Sequence, residues 1–351
     1  MDLFRRLFGK SEEELNAMGI EENTKPLPGP LPTFPESDPV TQPGRPEVQT
    51  SSTTSSSSAA TAPLPPPARP GQTTPLPMIP DGTTRPLQPE KAISNNNEHI
   101  IFGQSSDVGL VRTNNQDSAF SFFSTSRSAE ERPDFGLFIV ADGMGGHHDG
   151  EKASAITARV VALQITSNVY TPMLTMVNDP DRPTIIESMI AAVQRANAEV
   201  MISVPEGGTT ITAVSIVGDL AHFAHVGDSR AYLVTADGVE QVTRDHSLVQ
   251  RLIELGQLTP EEAADHPQKN VLYRAIGQSE TLEVDTLTRR LPPNSRILIC
   301  SDGLWSQIGP EELQPIIMDL SPQEASDKLV ALANTRGGTD NITAIVLKVP
   351  R

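Results

Sequence analysis

Four aspartates stand where apolar, strand-like runs meet turn-forming residues. Asp142 follows Phe-Ile-Val-Ala, Asp228 follows Ala-His-Val-Gly, Asp302 follows Leu-Ile-Cys-Ser, and Asp340 comes just before Asn-Ile-Thr-Ala. A single aspartate in such a place is most simply a turn former, because its side chain bonds to nearby backbone groups. Four carboxylates at strand ends, with a glycine-rich turn after Asp142, instead favour one shared cation site.

The ligand types that the sequence offers narrow the choice of metal ion. The chain has one cysteine, so it can form neither an intrachain disulfide nor a cysteine zinc cluster. Oxygen ligands select magnesium or manganese, which keep several bound waters. Two such ions can share a bridging hydroxide that attacks a phosphate ester in line with its leaving group. A phosphate also calls for the planar fork of an arginine, and Arg112, beside Asn114, Asn115 and Asp117, is the best-placed candidate.

Overall charge and hydropathy exclude some partners. The net charge is −17, which argues against a nucleic-acid partner, because phosphate contacts need a basic face. No uninterrupted apolar run is long enough to span a bilayer. The N-terminus lacks the apolar centre of a signal peptide. The expectation is a cytoplasmic protein without a transmembrane segment.

The composition divides the chain into three parts. Residues 1–20 form a short amphipathic segment, which either docks on a partner or membrane surface or is a terminal helix without a partner. Residues 21–96 contain 18 of the 31 prolines and a serine/threonine run. Such a segment cannot bury enough apolar surface to offset its ordering entropy, so it is predicted to be disordered. Residues 97–351 have a globular composition and predict one domain.

The globular part predicts an α+β layout of two facing antiparallel sheets with helices outside, because its strands and helices come in blocks rather than in βαβ alternation. Hairpin signals at Gly218 and Gly238 separate the central strands. Strands are predicted at 118–123, 135–141, 209–217, 221–226, 230–235, 297–301 and 342–349, and helices at 150–168, 184–203, 248–255, 258–264, 310–319 and 322–334.

An ordered series of motifs spans residues 100–349. It comprises Val108-Gly-Leu-Val-Arg-Thr-Asn-Asn-Gln-Asp117, Val140-Ala-Asp-Gly-Met-Gly-Gly-His147, Gly208-Thr-Thr210, His225-Val-Gly-Asp-Ser-Arg-Ala-Tyr232, Cys300-Ser-Asp-Gly-Leu-Trp305 and Gly338-Thr-Asp-Asn341. The series resembles that of the metal-dependent protein phosphatases of type 2C, and the bacterial branch is the most similar. Residues 243–277, the flap segment, are similar to the mobile flap of that branch.

The resemblance implies a four-layer α-β-β-α sandwich and a two-metal centre of manganese or magnesium. By motif, Asp142 would bridge both ions, the Gly143 carbonyl would bind one of them, and Asp302 and Asp340 would complete the first metal site. Arg112 would hold the substrate phosphate.

Outer positions follow from the same resemblance. Asp228, with Asp302, matches the acidic pair that binds a third metal in bacterial members. Asp117 would hold a metal-bound water from behind, and Asn341 would orient Asp340. Eukaryotic members commonly carry a histidine, proposed as general acid, where this chain has Met144, and a thioether cannot donate a proton. His147 is therefore the candidate general acid, with a metal-bound water as the alternative.

The resulting hypothesis is hydrolysis of phosphoserine and phosphothreonine in proteins, without a covalent intermediate. Its partners would be phosphorylated proteins and an opposing serine/threonine kinase, and the enzyme would be a monomer. Two rivals remain: a catalytically silent module that binds phosphoproteins or partners through the tail, and a small-molecule phosphatase with the same chemistry. The complete acidic set argues against the silent module.

Overall fold

A computed structural model describes residues 99–125, 133–145, 149–175, 179 and 181–349. The predicted amphipathic segment 1–20 and the predicted disordered linker 21–96 lie outside these residues. So do His147, the candidate general acid, and His148.

Eleven strands lie within the described residues. They are β1 (Ile101–Asp107), β2 (Asp117–Ser124), β3 (Phe135–Met144), β4 (Gly208–Thr209), β5 (Ile211–Val217), β6 (Leu220–Val226), β7 (Arg230–Thr235), β8 (Gly238–Gln241), β9 (Asp285–Arg290), β10 (Arg296–Cys300) and β11 (Ile342–Lys348).

Eight α-helices accompany them in the same residues. They are α1 (Asp149–Ile165), α2 (Thr171–Thr175), α3 (Ile185–Ser203), α4 (Leu248–Glu254), α5 (Pro260–Ala264), α6 (Asp302–Trp305), α7 (Pro310–Asp319) and α8 (Pro322–Thr335), with a π-helical turn, Thr166–Tyr170, between α1 and α2. Within this described part, no helix is both long and apolar enough to cross a bilayer.

The strands form two sheets in which every pairing is antiparallel. One sheet has the order β1-β11-β10-β7-β8, and the other has the order β2-β3-β5-β6-β9, with β4 paired to β3. The hairpins β5–β6 and β7–β8 turn at the predicted positions.

Three hydrophobic cores separate four layers. Side chains alternate across a strand, so Leu137 of β3 packs toward α1 and α3 while its neighbour Phe138 packs against the other sheet. In that other sheet, Ile299 of β10 faces the inter-sheet core while Leu298 faces α7 and α8. The α-β-β-α sandwich is therefore confirmed.

Prediction and structure differ mainly at sheet edges. Strands β1, β8 and β9 were not predicted, and all three are edge strands. The sequences Gly-Val-Glu-Gln of β8 and Asp-Thr-Leu-Thr-Arg-Arg of β9 are half-exposed or exposed, so they lack a clear apolar alternation. Strand β3 also runs past its predicted end at Ala141, because Gly143 and Met144 pair with β4.

Candidate active site

Four aspartates from distant parts of the chain line one cavity of about 180 Å³. Asp142 comes from β3, Asp228 from the loop after β6, Asp302 from the first position of α6, and Asp340 from the loop before β11. Arg112 and Gly143 lie on the same walls. Of the described residues that the sequence assigned to the metal and phosphate sites, the structure brings all to this cavity except Asp117, which does not line it.

The backbone of Asp142 is held by two threonines. Its amide donates to Thr210 Oγ1 at 3.0 Å, and its carbonyl accepts from Thr209 Oγ1 and from the Thr210 amide, both at 2.8 Å. Thr210 Oγ1 also lies 2.6 Å from Ser229 Oγ. The Gly208-Thr-Thr motif therefore fixes the position of the Asp142 backbone at the cavity.

Gly143 lies where two other backbone segments approach closely. A β-carbon there would come within 2.2 Å of the Gly150 carbonyl oxygen and 2.6 Å of the Gln116 carbonyl oxygen. The Gly143 amide donates to that Gln116 carbonyl at 3.1 Å. Only glycine allows the start of α1 to lie so close to Asp142.

Asp117 is connected to the cavity through Ser301. Asp117 is paired with Asp142 in the β2–β3 register. Its Oδ2 accepts from Ser301 Oγ at 2.8 Å, and Ser301 directly precedes Asp302. Ser301 is the N-cap residue of α6, yet its side chain makes no helix-capping bond. The hydroxyl instead ties Asp117 to the strand end that carries Asp302.

Asp340 receives two donors. Arg112 Nη2 donates to its Oδ2 at 2.7 Å, and the Asn341 backbone amide donates to its Oδ1 at 2.9 Å. The Asn341 side chain does something else: its Nδ2 donates to the carbonyls of Val108 and Asn114, both at 2.9 Å. Asn341 therefore orients Asp340 through its backbone, while its side chain holds the loop that carries Arg112.

Asp228 is held from two sides. His246 of the flap segment donates its amide to the Gly227 carbonyl at 2.7 Å and accepts the Gly227 amide on Nδ1 at 3.0 Å. Trp305 Nε1 donates to the Asp228 carbonyl at 2.9 Å. The Arg230 guanidinium carbon lies 3.6 Å from the centre of the Trp305 ring. Trp305 thus fixes the backbone of Asp228.

The carboxylates perturb one another's titration. Burial raises the pKa of Asp142 well above its usual range, and the charges of Asp117 and Asp302 raise it further. Burial, assisted by the charge of Asp340, raises the pKa of Asp302 to about 6. Asp228 likewise has a raised pKa, through burial and the charge of Asp302. Unneutralised negative charge in this cavity is costly, and a bound cation would relieve that cost.

The residues present fit a hydrated divalent cation. Oδ1 of Asp117 and Oδ1 of Asp302 are buried without a hydrogen-bond partner, whereas buried polar atoms nearly always have one. Among the residues that the structure describes, no three acidic, histidine or cysteine side chains are arranged to enclose an ion by themselves. The unpaired oxygens suit a hydrated magnesium or manganese ion, which takes few carboxylates and keeps several waters.

Several contributors were not foreseen. Ser301 had no sequence signal for its contact with Asp117, because the two residues lie 184 positions apart in the chain. The roles of Thr209 and Thr210 were also missed, although their motif was recognised. Both roles depend on which strands become neighbours.

Known proteins share this chain's sequence and fold. Residues 111–335 match the family described as Protein phosphatase 2C. Protein phosphatase PhpP of Streptococcus pneumoniae is 36% identical over 247 residues, which cover 69% of this chain and 95% of that protein. Serine/threonine phosphatase stp of Listeria innocua is 32% identical over 246 residues, covering 69% and 93%.

A solved structure agrees as well. The crystal structure of the catalytic domain of serine threonine protein phosphatase PstP in complex with 2 manganese ions has a TM-score of 0.57 and 32% identity, and the match covers 72% of this chain and 99% of that one. The chain belongs to the protein phosphatase 2C family, and its class of enzyme is therefore protein phosphatase.

Proposed function

We propose that this protein hydrolyses phosphoserine and phosphothreonine in other proteins, in a reaction that depends on manganese or magnesium. One observation carries the proposal: four carboxylates and one arginine share the walls of a single small cavity. Carboxylates suit a hard cation, and a guanidinium suits a phosphate. The relatives named serine/threonine phosphatases support this choice of substrate.

Asp142, Asp302 and Asp340 would hold two metal ions, together with the carbonyl of Gly143. The unpaired buried oxygen of Asp302 and the raised pKa of Asp142 support this assignment, as does the pair of manganese ions in the PstP catalytic domain. When bound, such ions supply an acidified water as the nucleophile and neutralise charge on the phosphoryl group.

Asp228 and Asp117 would act beside this centre. Asp228, with Asp302, would take the third ion, since both carboxylates line the cavity and the charge of Asp302 raises the pKa of Asp228. Asp117 would hold a water from behind, because its Oδ1 is buried and without a partner.

Arg112 would bind and orient the phosphate. Its side chain is half-exposed and donates through Nη2 to Asp340. A guanidinium has five N–H donors, so further donors remain for two phosphoryl oxygens. No covalent intermediate is proposed, because the hydroxyl of Thr210, on the cavity wall, is already hydrogen-bonded to the Asp142 amide and to Ser229.

The leaving alkoxide needs a proton. Met144 lines the cavity and cannot donate one. His147, two positions beyond the described Gly145, stays the predicted donor.

The reaction consumes phosphoproteins, so a protein serine/threonine kinase must supply its substrate. Monomeric state and the binding role of residues 1–20 stay predictions. A small-molecule phosphatase would use the same cavity. A silent binding module would not need four carboxylates kept unneutralised at its centre, because their mutual repulsion is costly.

A metal-dependence assay tests the proposal. The full chain is given a phosphothreonine peptide while manganese is titrated and then removed by chelation. Asp142→Asn and Asp302→Asn should lower turnover by at least about 100-fold. Asp237→Asn is the matched control, because Asp237 also precedes a glycine but lies in an exposed turn. It should keep full turnover.

Two outcomes would contradict the proposal. Turnover of the Asp142→Asn and Asp302→Asn variants within a few-fold of wild type would show that the metal assignment is wrong. Absence of calorimetric heat on addition of manganese near millimolar concentration would favour the silent module.

A further inference from the structure

A second, larger cavity adjoins the catalytic one. Its volume is about 520 Å³, and three residues, Asn270, Asp302 and Asp340, line both cavities. The combined space therefore exceeds what a phosphoryl group needs. A pocket of this size lies within the range of about 300–1,000 Å³ that holds drug-sized ligands.

The flap segment lines part of this second cavity, with Val249 and Ile253 of α4 and Pro260 and Ala263 of α5. Four of the seven residues of α4 are apolar, yet none of them is buried. An amphipathic helix normally buries its apolar face. Here part of that face lines the cavity, so an apolar side chain of a ligand would bury most apolar surface by packing against it.

The opposite wall is formed by residues that follow the catalytic Asp302. Trp305, Ser306 and Gln307 line it, together with Thr339 just before Asp340. Ser306 and Thr339 are exposed. Their hydroxyls can bond to the backbone of an extended peptide, whose amides and carbonyls need partners when they leave water.

This cavity adds two cations, Arg230 and Lys269, and the carboxylate of Asp245 to the two aspartates that it shares with the catalytic cavity. Arg230 is already paired with Asp245, at 2.7 Å. Lys269 Nζ donates to the Ala264 carbonyl at 3.1 Å, and in the described part of the chain no carboxylate is paired with it. Lys269 is thus a cation available to an acidic group on a ligand.

We propose that this second cavity binds the peptide segment next to the phosphorylated residue. An apolar side chain of that segment would pack against Val249 and Ile253, and an acidic side chain would pair with Lys269. The proposal rests on the proposed phosphatase function. It names the substrate class as phosphoproteins with an apolar and an acidic residue on the same side of the phosphorylated residue.

A peptide series tests this in the wild-type chain. Phosphothreonine peptides carry serine at every flanking position except one, which is leucine or glutamate in turn. One leucine position should raise kcat/KM about 10-fold, from the apolar area it buries. One glutamate position on the same side should raise it about threefold, as an exposed ion pair would. Equal kcat/KM for all the peptides would overturn the inference.

Variants assign the preferences to the cavity. Ile253→Ser should reduce the leucine preference to less than about twofold, and Lys269→Glu should reverse the glutamate preference. Ile202→Ser and Lys328→Glu are the matched controls, because both residues are exposed on helices outside the cavity, α3 and α8. Preferences that survive in Ile253→Ser and Lys269→Glu would place peptide recognition elsewhere and overturn the inference.

Para-nitrophenyl phosphate distinguishes a failure of the proposed function from a failure of the peptide-binding inference alone, because this compound has no flanking peptide. Each variant's kcat/KM on peptides is divided by its value on this compound, which cancels any general loss of folded enzyme. Failure of wild type to hydrolyse either substrate with manganese would overturn the proposed function and the inference together. Hydrolysis without any flanking preference would overturn the inference alone.

Discussion

Asp117 and Asp142 face each other as a residue pair in the register of β2 and β3. Burial raises the pKa of Asp117 to about 7, and the charge of Asp117 in turn raises the pKa of Asp142. Neighbouring strands thus bring two carboxyl groups together in an enclosed place. Like charges so arranged favour either protonation or a bound cation.

The stability of the metal-free protein should therefore fall as pH rises through the titration of this cluster. The pKa values of Asp117 and Asp302 lie at about 7 and about 6 in the folded protein, above the ordinary value of 3.8. The folded state thus binds more protons than the unfolded state between these values, so stability is lost as pH rises from about 4 to about 7. Urea unfolding in chelator should show the cluster's contribution decreasing by several kcal/mol, because each unit by which a carboxyl pKa is raised corresponds to about 1.4 kcal/mol.

Other carboxyl groups also titrate in this range, so a variant isolates the effect. Asp117→Asn removes one of the two groups, and its unfolding free energy should fall less with pH than that of wild type. Saturating manganese should remove the cluster's contribution to the pH dependence of unfolding in the wild-type protein, because the bound cation neutralises the cluster. Identical pH slopes for wild type and Asp117→Asn in chelator would contradict the prediction.

Asn341→Ala should destabilise the protein and weaken catalysis together. The Asn341 side chain accepts from the Gln116 amide at 2.8 Å and donates to the carbonyls of Val108 and Asn114. Its loss removes three hydrogen bonds to backbone groups, at a cost of about 3 kcal/mol. The same loop carries Arg112, so kcat/KM should fall about 10-fold as well.

Urea unfolding and peptide assays measure both effects. Asn168→Ala is the control, because Asn168 is exposed on the π-helical turn and its side chain donates to the exposed Gln164 side chain at 3.1 Å. It should change stability by less than about 0.5 kcal/mol. A stable Asn341→Ala variant with normal activity would show that the loop holds its position without this side chain.

The sequence predicted those parts of the site that are encoded locally. The sequence located three metal-site candidates, Asp142, Asp302 and Asp340, because each stands beside a strand-like apolar run. Where that run ends or begins indicates where the strand ends or begins. The bond from Ser301 to Asp117 joins residues 184 positions apart. No local pattern could indicate that bond, since it depends on the packing of one sheet against the other. Edge strands β8 and β9 were missed for a related reason: with few buried side chains, they lack the alternation that reveals an inner strand.

Arg112→Ala and Arg112→Lys should both raise KM for phosphopeptides by about 10-fold. Lysine keeps the charge but lacks the planar fork that binds two phosphoryl oxygens and also reaches Asp340. Steady-state kinetics on a phosphothreonine peptide measures this. Arg195→Ala is the control, because Arg195 is exposed on α3 and its ion pair with Glu199 is long, at 3.9 Å. An unchanged KM in both Arg112 variants would remove this residue from the phosphate site.

Gly143→Ala should be strongly destabilising, although it adds a single methyl group. The added carbon would meet the carbonyl oxygens of Gly150 and Gln116 at 2.2 and 2.6 Å, and backbone atoms cannot rotate away as a side chain can. Either α1 or the residue before β2 must move, and the free energy of unfolding should fall by about 3 kcal/mol. Gly256→Ala provides the comparison. Its φ of +67° also disfavours alanine, but the new carbon would meet open space, so its cost should be about 1 kcal/mol. Urea unfolding measures both free energies. An equal cost for the two variants would mean that close backbone approach is not what requires glycine beside Asp142.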